Sequence, residues 1–138
     1  MPRFSKRSLN ALRGVHPDLV LLMTSAICDS PVDFTVVEGV RTQGRQMSLY
    51  AQGRTTKGNI VTYADGIKRK SNHQVKADGY GHAVDIYPYV NGKLNFNDVA
   101  SLKKIASHIK ATAERIGVKV TWGGDWKRPY DPPHFEVK

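Results

Sequence analysis

Cysteine is almost missing from this sequence: Cys28 stands alone among 138 residues, so no intrachain disulfide can staple the fold. Stability must therefore come from packing, with or without a metal. Long apolar runs are also missing. The strongest, LVLLMTSAIC at 19–28, falls well short of the ~20 residues that span a bilayer. Preceded by basic MPRFSKR, it has the outline of a signal peptide, but Pro17 and Asp18 interrupt that outline. Leu19, Leu22, Met23, Ala26 and Ile27 recur at helical spacing instead, which predicts an amphipathic core helix starting at Pro17. The chain is expected to lack an export signal and a membrane anchor. Repeats, low-complexity segments and an H-E-x-x-H helix are absent as well, which removes the commonest zinc-peptidase signature. Acids are scarce, with 12 against 21 basic residues, giving a formal charge of +9. That balance calls for an anionic partner, either nucleic acid or an envelope polymer, and charge does not choose between them. The bases are spread along the chain, with Lys68, Arg69 and Lys70 as the single tight run.

What is present suffices for one domain over residues 1–138, with 40% hydrophobic content and no break in composition. Helices are predicted near Ser5–Arg13 and Pro17–Asp29, followed by DFTVVEG as a strand. A third helix spans Thr42–Gln52 and ends at Gly53. Residues 54–82 form a long basic segment of the kind that is usually functional or mobile. AVDIY then alternates as a strand, Asn91-Gly92 marks a tight turn, and Asp98–Ile116 is the clearest amphipathic helix, closed by Gly117. VKVTW and HFEV read as the last strands. The expected fold is α+β, with a small, mainly antiparallel sheet and flanking helices.

Alternation places Val84 and Ile86 on one side of the AVDIY strand and Asp85 on the other, with His82 opposite to Asp85. His73, in the loop upstream, carries no such restriction. In YDPPHFEV, two prolines exclude a helix, and a polyproline-like path of about three residues per turn sets Asp131 and His134 on one side. His73, Asp85 and His134 would make a two-histidine, one-aspartate set with an open fourth position and a carboxylate beside it, as a catalytic zinc requires. Spacing alone leaves open loop histidines at 73 and 82 and an edge-strand histidine at 134, since any chain with five histidines offers chance combinations.

S-x-H at Ser71–His73, G-x-A-x-D at Gly81–Asp85 and D-x-x-H at Asp131–His134 occur in order, with EGVRT at Glu38–Thr42, Gln46, and WGGDW at Trp122–Trp126. Together they closely resemble the zinc peptidases of bacterial cell walls, which include D-alanyl-D-alanine carboxypeptidases and phage L-alanyl-D-glutamate endopeptidases. The resemblance runs from HPDL at His16 onward. It departs from the family in one place. His73 and Asp85 are twelve positions apart, five more than in the fused family motif, so QVKADGYG is read as a loop insertion. The competing assignment, in which His82 replaces His73, conflicts with the strand alternation.

The resemblance implies one zinc on His73, Asp85 and His134, with Asp131 as general base and Arg41 holding a substrate carboxylate or polarising the scissile carbonyl. Ser71 would orient a ligand or serve as a turn residue. Glu136 is the rival for the base. Trp122 and Trp126 would wall the cleft or fill the core, and Asp125 would orient a ligand histidine or shape a turn. Cys28 is expected in the core. The implied protein is a monomeric endolysin without a separate wall-binding domain, made in a host cytoplasm and acting on the stem peptide of peptidoglycan after release. Its positive charge would adhere to the anionic envelope. Alternatives are a D-Ala-D-Ala carboxypeptidase on the same scaffold and, more distantly, a zinc-stabilised binding module or a nucleic-acid binder.

Overall fold

A computed structural model describes residues 3–138, so the first two residues of the basic MPRFSKR stretch lie outside it. Helices α1 (Lys6–Ala11) and α2 (Pro17–Ile27) precede β1 (Phe34–Glu38) and α3 (Gln43–Ala51). After a long loop come β2 (Ala83–Val90), β3 (Lys93–Leu94), α4 (Val99–Ile116), β4 (Thr121–Trp122), a single 3₁₀ turn and β5 (His134–Glu136). The fold is α+β. The sheet is antiparallel in the order β1-β2-β5-β4, with β3 folded back on β2. Asn91 and Gly92 both have positive φ, which closes that hairpin as the N-G pair predicts.

The core lies between the sheet and two helices. Leu19, Leu22, Met23, Ala26 and Ile27 of α2 and Leu102, Ile105, Ala106, Ile109 and Ala113 of α4 are buried at the i, i+3, i+4 spacing that makes one apolar stripe. Against them lie Val84, Ile86 and Phe135, all fully enclosed. Burying Val84 and Ile86 on the core side turns Asp85 toward the opposite face, where His134 is its cross-strand partner. The hydrophobic pattern therefore fixes which side of the sheet can carry chemistry.

Three expectations need correction. VKVTW pairs only at Thr121 and Trp122, because its partner β5 is three residues long. Cys28 is exposed rather than core: α2 stops at Ile27, and the thiol turns back 3.3 Å from the Thr24 carbonyl at the helix end. The chain from Asp131 to His134 is a tight turn, not a polyproline path, since the His134 amide donates to the Asp131 carbonyl at 3.1 Å. The turn still leaves both side chains on one side. Among the described residues no helix is long and apolar enough to cross a membrane.

Candidate metal centre and active-site cleft

His73 arrives from the loop, Asp85 from the middle of β2 and His134 from the start of β5, and their donor atoms converge. His73 Nε2 and His134 Nδ1 are 3.2 Å apart, and Asp85 Oδ1 lies 3.3 and 3.4 Å from them. A tetrahedral ion with ligand bonds of ~2.0–2.1 Å separates its donors by about 3.3 Å, so this triangle has the size a zinc-like ion needs. The outer bonds of both imidazoles agree with that use. His73 Nδ1 donates to the Gly39 carbonyl at 2.8 Å, and His134 Nε2 donates to Glu136 Oε1 at 2.7 Å. Each ring is thereby held in the tautomer that turns a lone pair toward Asp85. Asp85 Oδ1 is buried and has no hydrogen-bond partner among the described residues, the condition of a ligand atom facing its ion's place.

Charge within the triangle follows from this crowding. Burial opposes ionisation of Asp85, but the closeness of the His73 and His134 imidazoles outweighs it and holds its carboxyl well below the usual range. Burial likewise disfavours a charged His134, yet bonds to Asp85 and Glu136 raise it to about 9.

Asp131 sits at the rim, its Oδ2 3.7 Å from His134 Nδ1. Burial and then the nearby Asp85 charge push its pKa up. Arg41 is engaged more fully than a free substrate clamp would be. Its Nε donates to Glu38, Nη1 reaches Gln46 Oε1 at 2.8 Å, and Nη2 lies 3.5 Å from Asp85 Oδ2. Glu38 and Asp85 are directly opposite across β1 and β2. Two carboxylates so placed repel, and the guanidinium between them removes that cost.

Gln46, completely buried, extends the network into the long loop by donating to Thr62 Oγ1 at 3.2 Å and the Ala64 carbonyl at 2.8 Å. Gly66, with φ +91°, packs against its side chain, and Gln74 Nε2 donates to the Gly66 carbonyl at 3.0 Å. Two buried glutamines thus fasten the polar segment 54–82 as one wall of a cleft. Gln74 was not foreseen, since a lone glutamine in a polar loop gives no periodic signal. Asn72 and Tyr87 were also missed. Asn72 donates to Glu136 Oε2 at 2.7 Å, and Tyr87 lines the cleft with its phenol pKa raised by burial and by the acids nearby.

The other sequence candidates separate clearly. Ser71 Oγ accepts from the His73 amide at 3.2 Å and shapes that turn. Trp126 lines the cleft, whereas Trp122 is in the core, stacked on Phe135. Asp125 pairs with Lys110 at 2.6 Å and is not directed at a ligand histidine. His82 lies apart from the triangle, bonded to Asp78. The cleft holds about 830 Å³ and runs from Arg45 and Val61 past the triangle to Arg128.

The sequence profile of the phage L-alanyl-D-glutamate peptidase family matches residues 1–136. The L-alanyl-D-glutamate peptidase of Escherichia phage T5 is 30% identical over 136 residues, covering 99% of this chain and 89% of the relative. The peptidoglycan L-alanyl-D-glutamate endopeptidase CwlK of Bacillus subtilis (strain 168) is 34% identical over 123 residues, covering 83% of this chain and 66% of the relative. The crystal structure of the Serratia marcescens L-Ala D-Glu endopeptidase ChiX matches with a TM-score of 0.77 at 33% identity, covering 99% of this chain and 90% of that one.

Proposed function

Since the chain belongs to the phage L-alanyl-D-glutamate peptidase family, we propose that it hydrolyses the L-alanyl-D-glutamate bond of peptidoglycan stem peptides, with zinc held by His73, Asp85 and His134. The observation that carries the reading is the triangle of three donors at 3.2–3.4 Å beside a partly buried carboxylate. Bound there, the ion supplies Lewis acidity, polarising the scissile carbonyl and acidifying water toward neutral pH. Asp131 takes the proton of the attacking water and returns it to the leaving amine of D-glutamate. Its raised pKa brings its basicity closer to the working pH than an exposed aspartate would have. Glu136 keeps both oxygens on His134 and Asn72, which suits it to orienting the ring rather than moving protons.

In the stem peptide, D-glutamate continues the chain through its side-chain carboxyl, so its main-chain carboxylate stays free beside the scissile amide. The N–H groups of Arg41 not engaged by Glu38, Gln46 and Asp85 receive that carboxylate. The open cleft leaves room for the rest of the peptide. Mass spectrometry of digested wall should show new amino-terminal D-glutamate, with L-alanine left on the glycan and little free D-alanine. Arg41→Ala should slow the cut roughly 10- to 100-fold, the scale of a lost charged hydrogen bond. Walls with amidated D-glutamate should be cut more slowly. Release of D-alanine without cleavage after L-alanine would instead make the protein a carboxypeptidase.

A further inference from the structure

His16, Asp78 and His82 form a second cluster on the other side of β2, with one donor atom from each within 4.8 Å of the others. His82 precedes β2 and shares the side of Val84, away from Asp85. Asp78 comes from the eight-residue stretch 74–81 that lengthens the spacing between His73 and Asp85. The stretch forms a hydrogen-bonded turn: Lys76 and Tyr80 close it at 2.9 Å, Gly79 takes φ +87°, and Asp78 Oδ1 accepts from the Tyr80 amide at 3.0 Å. That leaves Asp78 Oδ2 to face His82 Nε2 at 2.7 Å. The far end of the stretch docks on the segment before α2, where the His16 amide donates to the Gly81 carbonyl at 2.8 Å. The His16 and His82 rings meet edge to face at 4.8 Å.

We propose that His16, Asp78 and His82 bind a second divalent transition-metal ion, which clamps the 74–81 loop to the N-terminus of α2. Two imidazoles and one carboxylate suit zinc, nickel or copper, not calcium or magnesium, which prefer all-oxygen sites. Hydrogen-bond accounting permits the exchange. His82 is buried with Nδ1 lacking any partner among the described residues, so moving its ring proton from Nε2 to Nδ1 sacrifices only the bond to Asp78, which the ion replaces. His16 Nδ1 now accepts from the Asp18 amide at 3.1 Å, leaving Nε2 for the ion. Binding through Nε2 moves the ring proton to Nδ1, which gives up the bond from the Asp18 amide and turns its N–H toward the Asp18 carboxylate, 4.0 Å away, as an outer-sphere partner. Water completes the shell on the exposed Asp78 side.

The test is metal counting on protein stripped with chelator, by zinc titration calorimetry and elemental analysis. Wild type should take up two equivalents, while Asp78→Asn and His16→Asn each take one. Asparagine keeps the Tyr80 turn in the first variant and caps α2 in the second, so both should fold. His73→Ala should also take one equivalent, held at the second site, which separates failure of this site from failure of the first. In wild type and His73→Ala, but not in Asp78→Asn or His16→Asn, filling this site should slow hydrogen exchange of amides 74–81. A single equivalent in wild type that His73→Ala loses, or two retained in either Asp78→Asn or His16→Asn, overturns the proposal.

Discussion

Asp131 and His134 lie one turn apart, and the proposed function gives them different tasks because of what each atom faces. The His134 lone pair points into the donor triangle while its other nitrogen is fixed by Glu136; Asp131 stays outside the triangle at 3.7 Å. Removing a ligand and removing the base should therefore look different. His73→Ala, Asp85→Ala and His134→Ala should each lose most of the zinc at this triangle, and with it the activity. Asp131→Ala should keep zinc and fold while the rate falls by ~10²-fold or more, the usual scale for a general base. Metal content measured beside peptide cleavage makes the comparison. Glu136 sets the contrary case. Burial favours its neutral form, but hydrogen bonds from His134 and Asn72 lower its pKa and hold it charged in place. If Glu136→Ala kept its metal and lost the rate while Asp131→Ala kept both, the base would be Glu136.

Helix α4 shows how an element supports the site without touching it, since its apolar stripe packs on α2 and backs the sheet that carries Asp85 and His134. Asp98 caps it, accepting from the Ser101 amide at 3.0 Å and the Ser101 hydroxyl at 2.6 Å, and those bonds lower its pKa. A folded-state pKa below the unfolded value of about 3.9 gives stability that is present above that pH and lost as pH falls through the folded pKa. Asp98→Ala should lower the melting temperature by roughly 2–4 °C at pH 7, and the gap to wild type should close below about pH 4. A gap unchanged at pH 2 would mean that the carboxylate charge plays no part in the cap. This helix was legible in the sequence, terminal glycine included, because amphipathic period and end signals are local. Asp85 was legible for the same reason, through its alternation with Val84 and Ile86. Less visible was whatever depends on distant partners. β4 is short because β5 is short, Trp122 is core because Phe135 lies beneath it, and the 54–82 wall is ordered by Gln46 and Gln74 across the chain. The ligand set needed the ordered family motifs, since chance combinations of five histidines are many.

On the scale of the whole molecule, the formal charge of +9 acts at two ranges. Within the cleft every acid has a partner: Glu38 with Arg41, Asp85 with Arg41 and both histidines, Asp131 and Glu136 with His134. Arg45, Arg69, Lys70 and Arg128 line the same cleft and make no ion pair among the described residues. A carboxylate-bearing peptide in the cleft would meet these cations at contact distance, where salt screens less than it does beyond a Debye length. The remaining bases are spread over the surface, and any attraction they exert on an anionic wall would act from farther away, over distances that salt does screen. The Debye length is about 8 Å at physiological ionic strength and about 3 Å at 1 M. Lysis of whole cells should therefore fall several-fold between low and high salt, while kcat/KM for a short soluble stem peptide changes by less than about twofold. Turbidity and peptide-release assays at matched salt measure the two. Equal loss in both would place the salt-sensitive charges inside the cleft and remove the surface from any role in adhesion. No loss in either would leave the net charge as a matter of solubility alone.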